Sequence, residues 1–161
     1  MHVGFFERHV WQVFATLSVI LVLFGVGDMM SGGATFRSGE AVVFKGLTGT
    51  TWDELRGSDP GAAKLIDSQV RTGGLALLAA GLFSLAISLT AIRRGERWAW
   101  IAMWTWPLWL VLIYPLFWIA QPDPSAGTPV PIISGTIFLV ITVATLGLSY
   151  RRYLRGPEPS Q

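Results

Sequence analysis

The sequence contains no cysteine among its 161 residues. A chain without cysteine cannot form a disulfide, a thiolate metal site or a redox-active CxxC pair, and it cannot be palmitoylated. Its two histidines, His2 and His9, lie near the N-terminus, and they do not by themselves make a metal site. Phosphate-binding glycine loops and the GxSxG and HExxH motifs are missing as well. We therefore predict no metal ion and no cofactor.

Charged residues are scarce. They make up 14% of the chain, against about 25% in an average soluble protein, whereas hydrophobic residues make up 52%. So few charges cannot form the polar shell of a soluble domain. The basic residues adjoin apolar blocks, which fits a membrane topology better than a nucleic-acid surface. We therefore expect the lipid bilayer as a partner and no nucleic acid.

Four apolar segments are long enough to cross a membrane, because a spanning helix needs about 20 apolar residues. They cover residues 10–30, 71–92, 98–120 and 131–150. The sequence therefore predicts an all-α integral membrane protein, with a four-transmembrane-helix bundle over residues 1–150. Residues 31–70 form a short extracytoplasmic helical cap in this prediction, and residues 151–161 form a cytoplasmic tail. The first segment is too long for a typical signal peptide, so we expect it to be retained rather than cleaved.

Two helix starts are marked within the predicted cap. Thr51 and Glu54 match a capping box, in which each side chain accepts a hydrogen bond from the backbone N–H of the other residue. Asp59 followed by Pro60 predicts that the second long helix begins before the membrane. The run over residues 40–47 is rich in β-prone residues and predicts a short extended segment.

Arginine clusters predict the orientation, because Lys and Arg concentrate in the cytoplasmic loops of membrane proteins. Residues 93–97, which read RRGER, and the pair Arg151-Arg152 are expected on the inner side. The loop over residues 121–130 has no Lys or Arg, as expected of an outer loop. Both termini are therefore predicted to be cytoplasmic.

Small side chains recur at every fourth position of the second predicted span. This stripe consists of Thr72, Ala76, Ala80, Ser84 and Ser88. Small residues let two helix backbones approach closely, and van der Waals contact then holds them together. The stripe therefore predicts a helix-pairing seam, either within the bundle or between copies of the chain.

Large aromatic residues lie deeper in the third span than its interfacial tryptophans, beside prolines that interrupt helical hydrogen bonding. They are Trp104, Trp106, Trp109 and Tyr114. These side chains are expected to pack against lipid and neighbouring helices, as interfacial tryptophans do. The alternative is that they line a ligand-binding pocket for a flat apolar molecule such as a lipid or a quinone.

Asp28 and Arg71 are the charged residues best placed to form an interfacial ion pair. Asp28 closes the first span and Arg71 opens the second, so both are expected at the outer interface. Asp67 lies one turn before Arg71 and competes as its partner.

The middle of each span contains no Asp, Glu, Lys, Arg or His. Proton-coupled transporters usually need such a group. We therefore favour a structural or partner-binding membrane subunit without catalytic activity, acting as a homo-oligomer or with a membrane partner. The alternative is a binding protein or enzyme for an apolar ligand in the tryptophan-lined pocket, and a small channel or transporter is the third hypothesis.

The second span contains Arg71-x-x-Gly74 followed by Gly81, and the sequence RRGERWAW follows at residues 93–100. With the four-helix layout, this pattern resembles the DoxX-like small bacterial membrane proteins. The resemblance implies a compact four-helix bundle in a bacterial cytoplasmic (inner) membrane. Some DoxX-type proteins are described as subunits of quinone-linked oxidoreductases, but no residue of this sequence matches a catalytic position that could be transferred.

Overall fold

The computed structural model describes residues 5–38, 40–120 and 130–154. All regular secondary structure in these ranges is helical. The α-helices are α1 (Phe5–Ser31), α2 (Ala41–Thr48), α3 (Trp52–Ser58), α4 (Pro60–Ile87), α5 (Arg97–Met103), α6 (Thr105–Ala120) and α7 (Val130–Leu154). Residues 121–129 of the predicted outer loop and residues 155–161 of the predicted tail lie outside the described residues.

Four helical segments of the described chain are long and apolar enough to cross a membrane, judged by length and composition. The first is α1 with the 3₁₀ helix that continues it, Gly32–Arg37, and the second is α4 with a terminal π-helical turn, Ser88–Ile92. The third combines α5 and α6, and the fourth is α7. Four segments of this length and composition are typical of a multi-pass membrane protein.

The third span is divided near its start. Trp104 separates α5 from α6, and its backbone N–H bonds to the carbonyl of Ile101 at 3.1 Å, which is the spacing of a 3₁₀ turn. Pro107 explains the interruption, because it has no N–H to donate to the carbonyl of Met103. Pro115 lies inside α6 without ending it.

The segment between α1 and α4 consists of the 3₁₀ helix, α2 and α3, and we call it the cap. The predicted capping box is present: the N–H of Glu54 donates to Thr51 Oγ1 at 3.3 Å, and the N–H of Thr51 donates to Glu54 Oε2 at 2.9 Å. The bond from the Thr51 backbone, followed by those from the Thr50 and Thr51 hydroxyls, lowers the pKa of the Glu54 carboxyl. Asp59 caps α4, with its Oδ1 accepting from the N–H of Ala62 at 2.9 Å.

The predicted extended segment over residues 40–47 is wrong, because this run forms α2. Val43 and Phe44 lie one position apart, and both are buried against the rest of the cap. The Phe44 ring centroid lies 4.7 Å from that of Phe36 and 5.6 Å from that of Trp52. This aromatic packing outweighs the β propensity of the isolated run.

The main hydrophobic core lies at the opposite end of the bundle. It joins α1, the end of α4, α5 and α7 through Val10, Phe14, Ala91, Ile92, Ala99, Trp100, Met103, Leu146 and Tyr153. The Tyr153 hydroxyl donates to the carbonyl of Ile92 at 2.9 Å, and the Arg152 guanidinium donates to the carbonyl of Arg93 at 3.1 Å. The two arginine clusters therefore meet at one end of the bundle, which we call the arginine end.

Helices α1 and α4 make the closest helix contact, through glycines that are not members of the predicted stripe. A Cβ atom at Gly25 would lie 2.4 Å from the backbone N of Leu78, and one at Gly74 would lie 2.6 Å from the backbone N of Met29. Neither position has room for a side chain, so the two backbones are in direct contact. A Cβ at Gly81 would meet Val22 at 2.9 Å, which extends this contact along α4.

Candidate functional site

The predicted small-residue stripe of α4 divides into two parts. Ser84 and Ser88 are buried in the bundle, and each takes part in a hydrogen bond there. Thr72 and Ala76 are exposed, and Ala80 is half-buried. The half of the stripe near the cap is therefore left without a partner helix among the described residues.

The exposed half of the stripe belongs to a wider surface. We call it the small-residue face, and it consists of Thr72, Gly73, Ala76, Ala79 and Ala80. A Cβ added at Gly73 would meet nothing within 4 Å, so this part of the helix backbone is open. The Thr72 hydroxyl donates to the carbonyl of Ser68 at 2.9 Å, which leaves its methyl group to form the outer surface. The face is therefore apolar and shallow.

The four aromatic residues predicted to form a pocket lie in different environments. Trp106 Nε1 donates to the buried Ser84 hydroxyl at 2.8 Å, and the Tyr114 hydroxyl shares a hydrogen bond with Thr136 Oγ1 at 2.7 Å. Trp109 is 45% exposed. Trp104 lines a groove on the surface of α6 and α7. These side chains do not come together as one enclosed pocket.

The groove beside Trp104 has a volume of about 870 Å³. Its walls are apolar side chains from two helices: Trp104, Pro107, Leu108, Val111, Leu139, Val140, Val143 and Ala144. It is wide and open along the surface, and it lies at the depth of the spans. An acyl chain or a flat apolar ring fits such a surface by shape and polarity.

The centre of the bundle is closely packed. Between α1, α5, α6 and α7, the side chains around Phe14, Ser18 and Trp106 leave no space for a water molecule. Every buried side-chain N or O atom of the described residues has a hydrogen-bond partner. No group of three or more His, Cys, Asp or Glu in the described chain is arranged to hold a metal ion. The side chains of this part of the interior therefore pack directly against one another.

The predicted pair of Asp28 and Arg71 is replaced by the competing pair. Arg71 Nε lies 2.8 Å from Asp67 Oδ2, one helical turn away, and its Nη1 donates to the carbonyls of Met29 and Met30 at 2.8 and 3.1 Å. The i,i+4 geometry holds the Asp67 carboxylate beside Arg71. Arg71 thus still ties α1 to α4, through the carbonyls that end α1 rather than through Asp28. Burial raises the pKa of the Glu40 carboxyl, and the negative charge of Asp28 raises it further.

A second cavity lies at the cap, beside this ion pair. Its volume is about 450 Å³, and α1, the 3₁₀ helix, α3 and α4 all contribute to it. The lining residues are Ser31, Ala34, Trp52, Arg56, Pro60, Ala63, Lys64, Asp67 and Arg71. No sequence pattern identifies Arg56 and Lys64 as neighbours, because no spacing rule connects side chains that converge from two different helices.

The sequence matches no protein-family model, and comparison with curated proteins and with solved structures finds no match.

Proposed function

We propose that the protein is a structural, partner-binding subunit without catalytic activity, and that it forms a homodimer through the small-residue face of α4. It lies in a bacterial cytoplasmic membrane with the cap outside and both termini in the cytoplasm. The meeting of both arginine clusters at one end of the bundle supports this orientation, because Lys and Arg concentrate on the cytoplasmic side. The DoxX-like resemblance remains part of this proposal.

The observation that carries the proposal is the exposure of the small-residue face. Helix α4 uses one row of small residues, which includes Gly74 and Gly81, to contact α1 at backbone distance. Its second row, from Thr72 to Ala80, has the same character and has no partner helix in the described chain. Lipid-facing positions elsewhere carry large side chains, such as Leu116 and Leu148, each 64% exposed. Small residues on a spanning helix favour close packing against another helix.

A second copy of the chain is the partner that suits this face. Two copies related by a twofold axis along the membrane normal bring identical surfaces together at the same depth. Alanine at positions 76 and 80 then meets alanine and glycine of the other copy, without charged groups in the contact. Close packing of this kind needs no large apolar surface, since helix association in a membrane is driven by van der Waals contact.

Gly73→Leu is expected to dissociate the dimer. The leucine side chain extends into open space in the single chain, so the fold is kept, but it separates the two copies of α4. We expect the dissociation constant to rise by at least about tenfold, corresponding to about 1.4 kcal/mol. Native mass spectrometry and energy transfer between labelled copies in liposomes measure it.

Gly147→Leu is the matched control. Gly147 also lies in a spanning helix, and a Cβ there also meets nothing within 4 Å, but it is on α7. This variant should associate like the wild-type protein. A wild-type protein that is monomeric at every concentration, or a Gly73→Leu variant that dimerises as tightly as Gly147→Leu, would remove the proposal.

The groove between α6 and α7 favours a second candidate function, the binding of an apolar ligand such as a lipid or a quinone. Trp104 offers a flat ring at one end of a surface that is otherwise aliphatic. Native mass spectrometry of the same purified protein checks this candidate, and the lack of any co-purifying lipid or quinone would exclude it.

A further inference from the structure

One side of the cavity at the cap is formed by the ion pair of Asp67 and Arg71. Asp67 accepts a hydrogen bond from the N–H of Gly33 at 2.8 Å and pairs with Arg71 at 2.8 Å. Arg71 is fixed in turn by the carbonyls of Met29 and Met30. The negative charge of Asp67 is therefore already matched by Arg71, and both side chains are held in place before any ligand arrives.

Two further cations line the same cavity, Arg56 from α3 and Lys64 from α4. Neither side chain forms a hydrogen bond or an ion pair of 4 Å or less with a described residue, although the charge of Arg56 also acts on Asp67. With Arg71 and Asp67 included, the cavity lining carries a net charge of +2, from three cations and one carboxylate. The cavity therefore has an unmatched positive charge.

Apart from Ser31, the remaining walls are apolar. Trp52 is only 4% exposed and is held by the aromatic packing of the cap, and Ala34, Pro60 and Ala63 complete the surface. The cavity is open on one side, and Arg56, Lys64 and Arg71 are all exposed, so an anion from solution can reach the three cations. The volume of about 450 Å³ falls within the range of about 300–1,000 Å³ that is usual for small-molecule sites.

We propose that this cavity binds a phosphate ester. Guanidinium and ammonium groups are the side chains that bind phosphate most strongly, and Arg56 and Lys64 supply one of each. The phosphate accepts hydrogen bonds from these two side chains, while the glycerol or other organic part lies against Trp52 and Pro60. The cavity lies where α1 and α4 leave the apolar spans, so the headgroup of a phospholipid and a soluble phosphate ester can both reach it.

The probes are glycerol 3-phosphate, dihexanoyl phosphatidylglycerol and dihexanoylglycerol, which has no phosphate. Their binding to the delipidated full chain in a non-ionic detergent is measured by calorimetry. We expect the phosphate probes to bind, and Arg56→Gln and Lys64→Gln each to weaken binding by about tenfold, since each removes a charge-assisted hydrogen bond. Affinity should also fall as salt is added.

Lys45→Gln is the matched control for Lys64→Gln, because Lys45 is an exposed lysine of the same cap that does not line the cavity. It should bind like the wild-type protein, and all three variants should keep its melting temperature. Equal binding of both phosphate probes supports a soluble ligand, and binding of phosphatidylglycerol alone supports a lipid headgroup. Binding of neither phosphate probe, equal binding of dihexanoylglycerol, or unchanged binding by the Arg56 and Lys64 variants would overturn the proposal.

Discussion

Gly74→Ala is expected to lower the free energy of unfolding by about 3 kcal/mol, whereas Gly73→Ala at the next position should not lower it at all. The two changes are chemically identical and lie in the same helix. At Gly74 the new methyl group would lie 2.6 Å from the Met29 backbone N and 2.8 Å from the Gly25 carbonyl oxygen. At Gly73 it meets nothing within 4 Å.

The size of the Gly74 effect follows from what the methyl group would meet. Backbone atoms of α1 cannot move aside as the end of a flexible side chain does, so α1 and α4 must separate along the contact. Separation would also shift Gly25, whose own position against Leu78 is too tight for a Cβ. Gly73→Ala should instead raise helix stability slightly, by about 0.5–1 kcal/mol, because alanine has the higher helix propensity.

Unfolding in mixed micelles with increasing sodium dodecyl sulfate, followed by circular dichroism, measures both variants. If Gly74→Ala and Gly73→Ala unfold at the same detergent fraction, the backbone contact between α1 and α4 is not as close as described. Helix propensity contributes equally to the two substitutions, so at a protein concentration too low for the proposed dimer their difference reports the contact alone.

Trp100→Ala is expected to lower the free energy of unfolding by about 3 kcal/mol. Trp100 is 7% exposed, and its ring lies at the centre of the core of the arginine end. Its Nε1 donates to the Leu146 carbonyl at 3.2 Å and the Ser149 hydroxyl at 3.1 Å, which fixes α5 against α7. Because unfolded spans stay in lipid, the loss comes from the cavity and the missing hydrogen bonds rather than from transfer to water.

Trp109→Ala is the control for this variant. Trp109 is 45% exposed and its indole N–H donates no hydrogen bond to a described residue, although its ring meets that of Trp106 edge-on. Its removal should cost less than about 1 kcal/mol, in the range of a single aromatic contact. Equal losses for the two variants in the same detergent titration would contradict a core located at the arginine end.

Local patterns in the sequence predicted local structure well. The capping box at Thr51 and the helix start at Asp59 depend on atoms three residues apart, and both are present. Residues 40–47 were misjudged because propensity describes an isolated run, and the burial of Phe44 against Trp52 comes from the surrounding cap.

The candidate sites could be predicted only in part. Small residues on α4 indicated helix pairing, but Gly73 and Gly74 look alike in sequence and face opposite surroundings. The rotation of a helix is set by the helices packed on it, and periodicity alone does not give it. Arg56 and Lys64 line one cavity because the turn between α3 and α4 brings their two helices together, and the sequence does not give the angle of that turn.

The central claim is that the cap faces outward and the C-terminal tail faces the cytoplasm, and the lack of cysteine makes this claim directly testable. Ser58→Cys places one thiol in the cap, and Ser160→Cys places one in the tail, without changing any charge. Labelling intact bacterial cells with a membrane-impermeant maleimide should modify Ser58→Cys, and Ser160→Cys should react only after the cells are permeabilised. Labelling of Ser160→Cys in intact cells, or protection of Ser58→Cys until permeabilisation, would contradict the account.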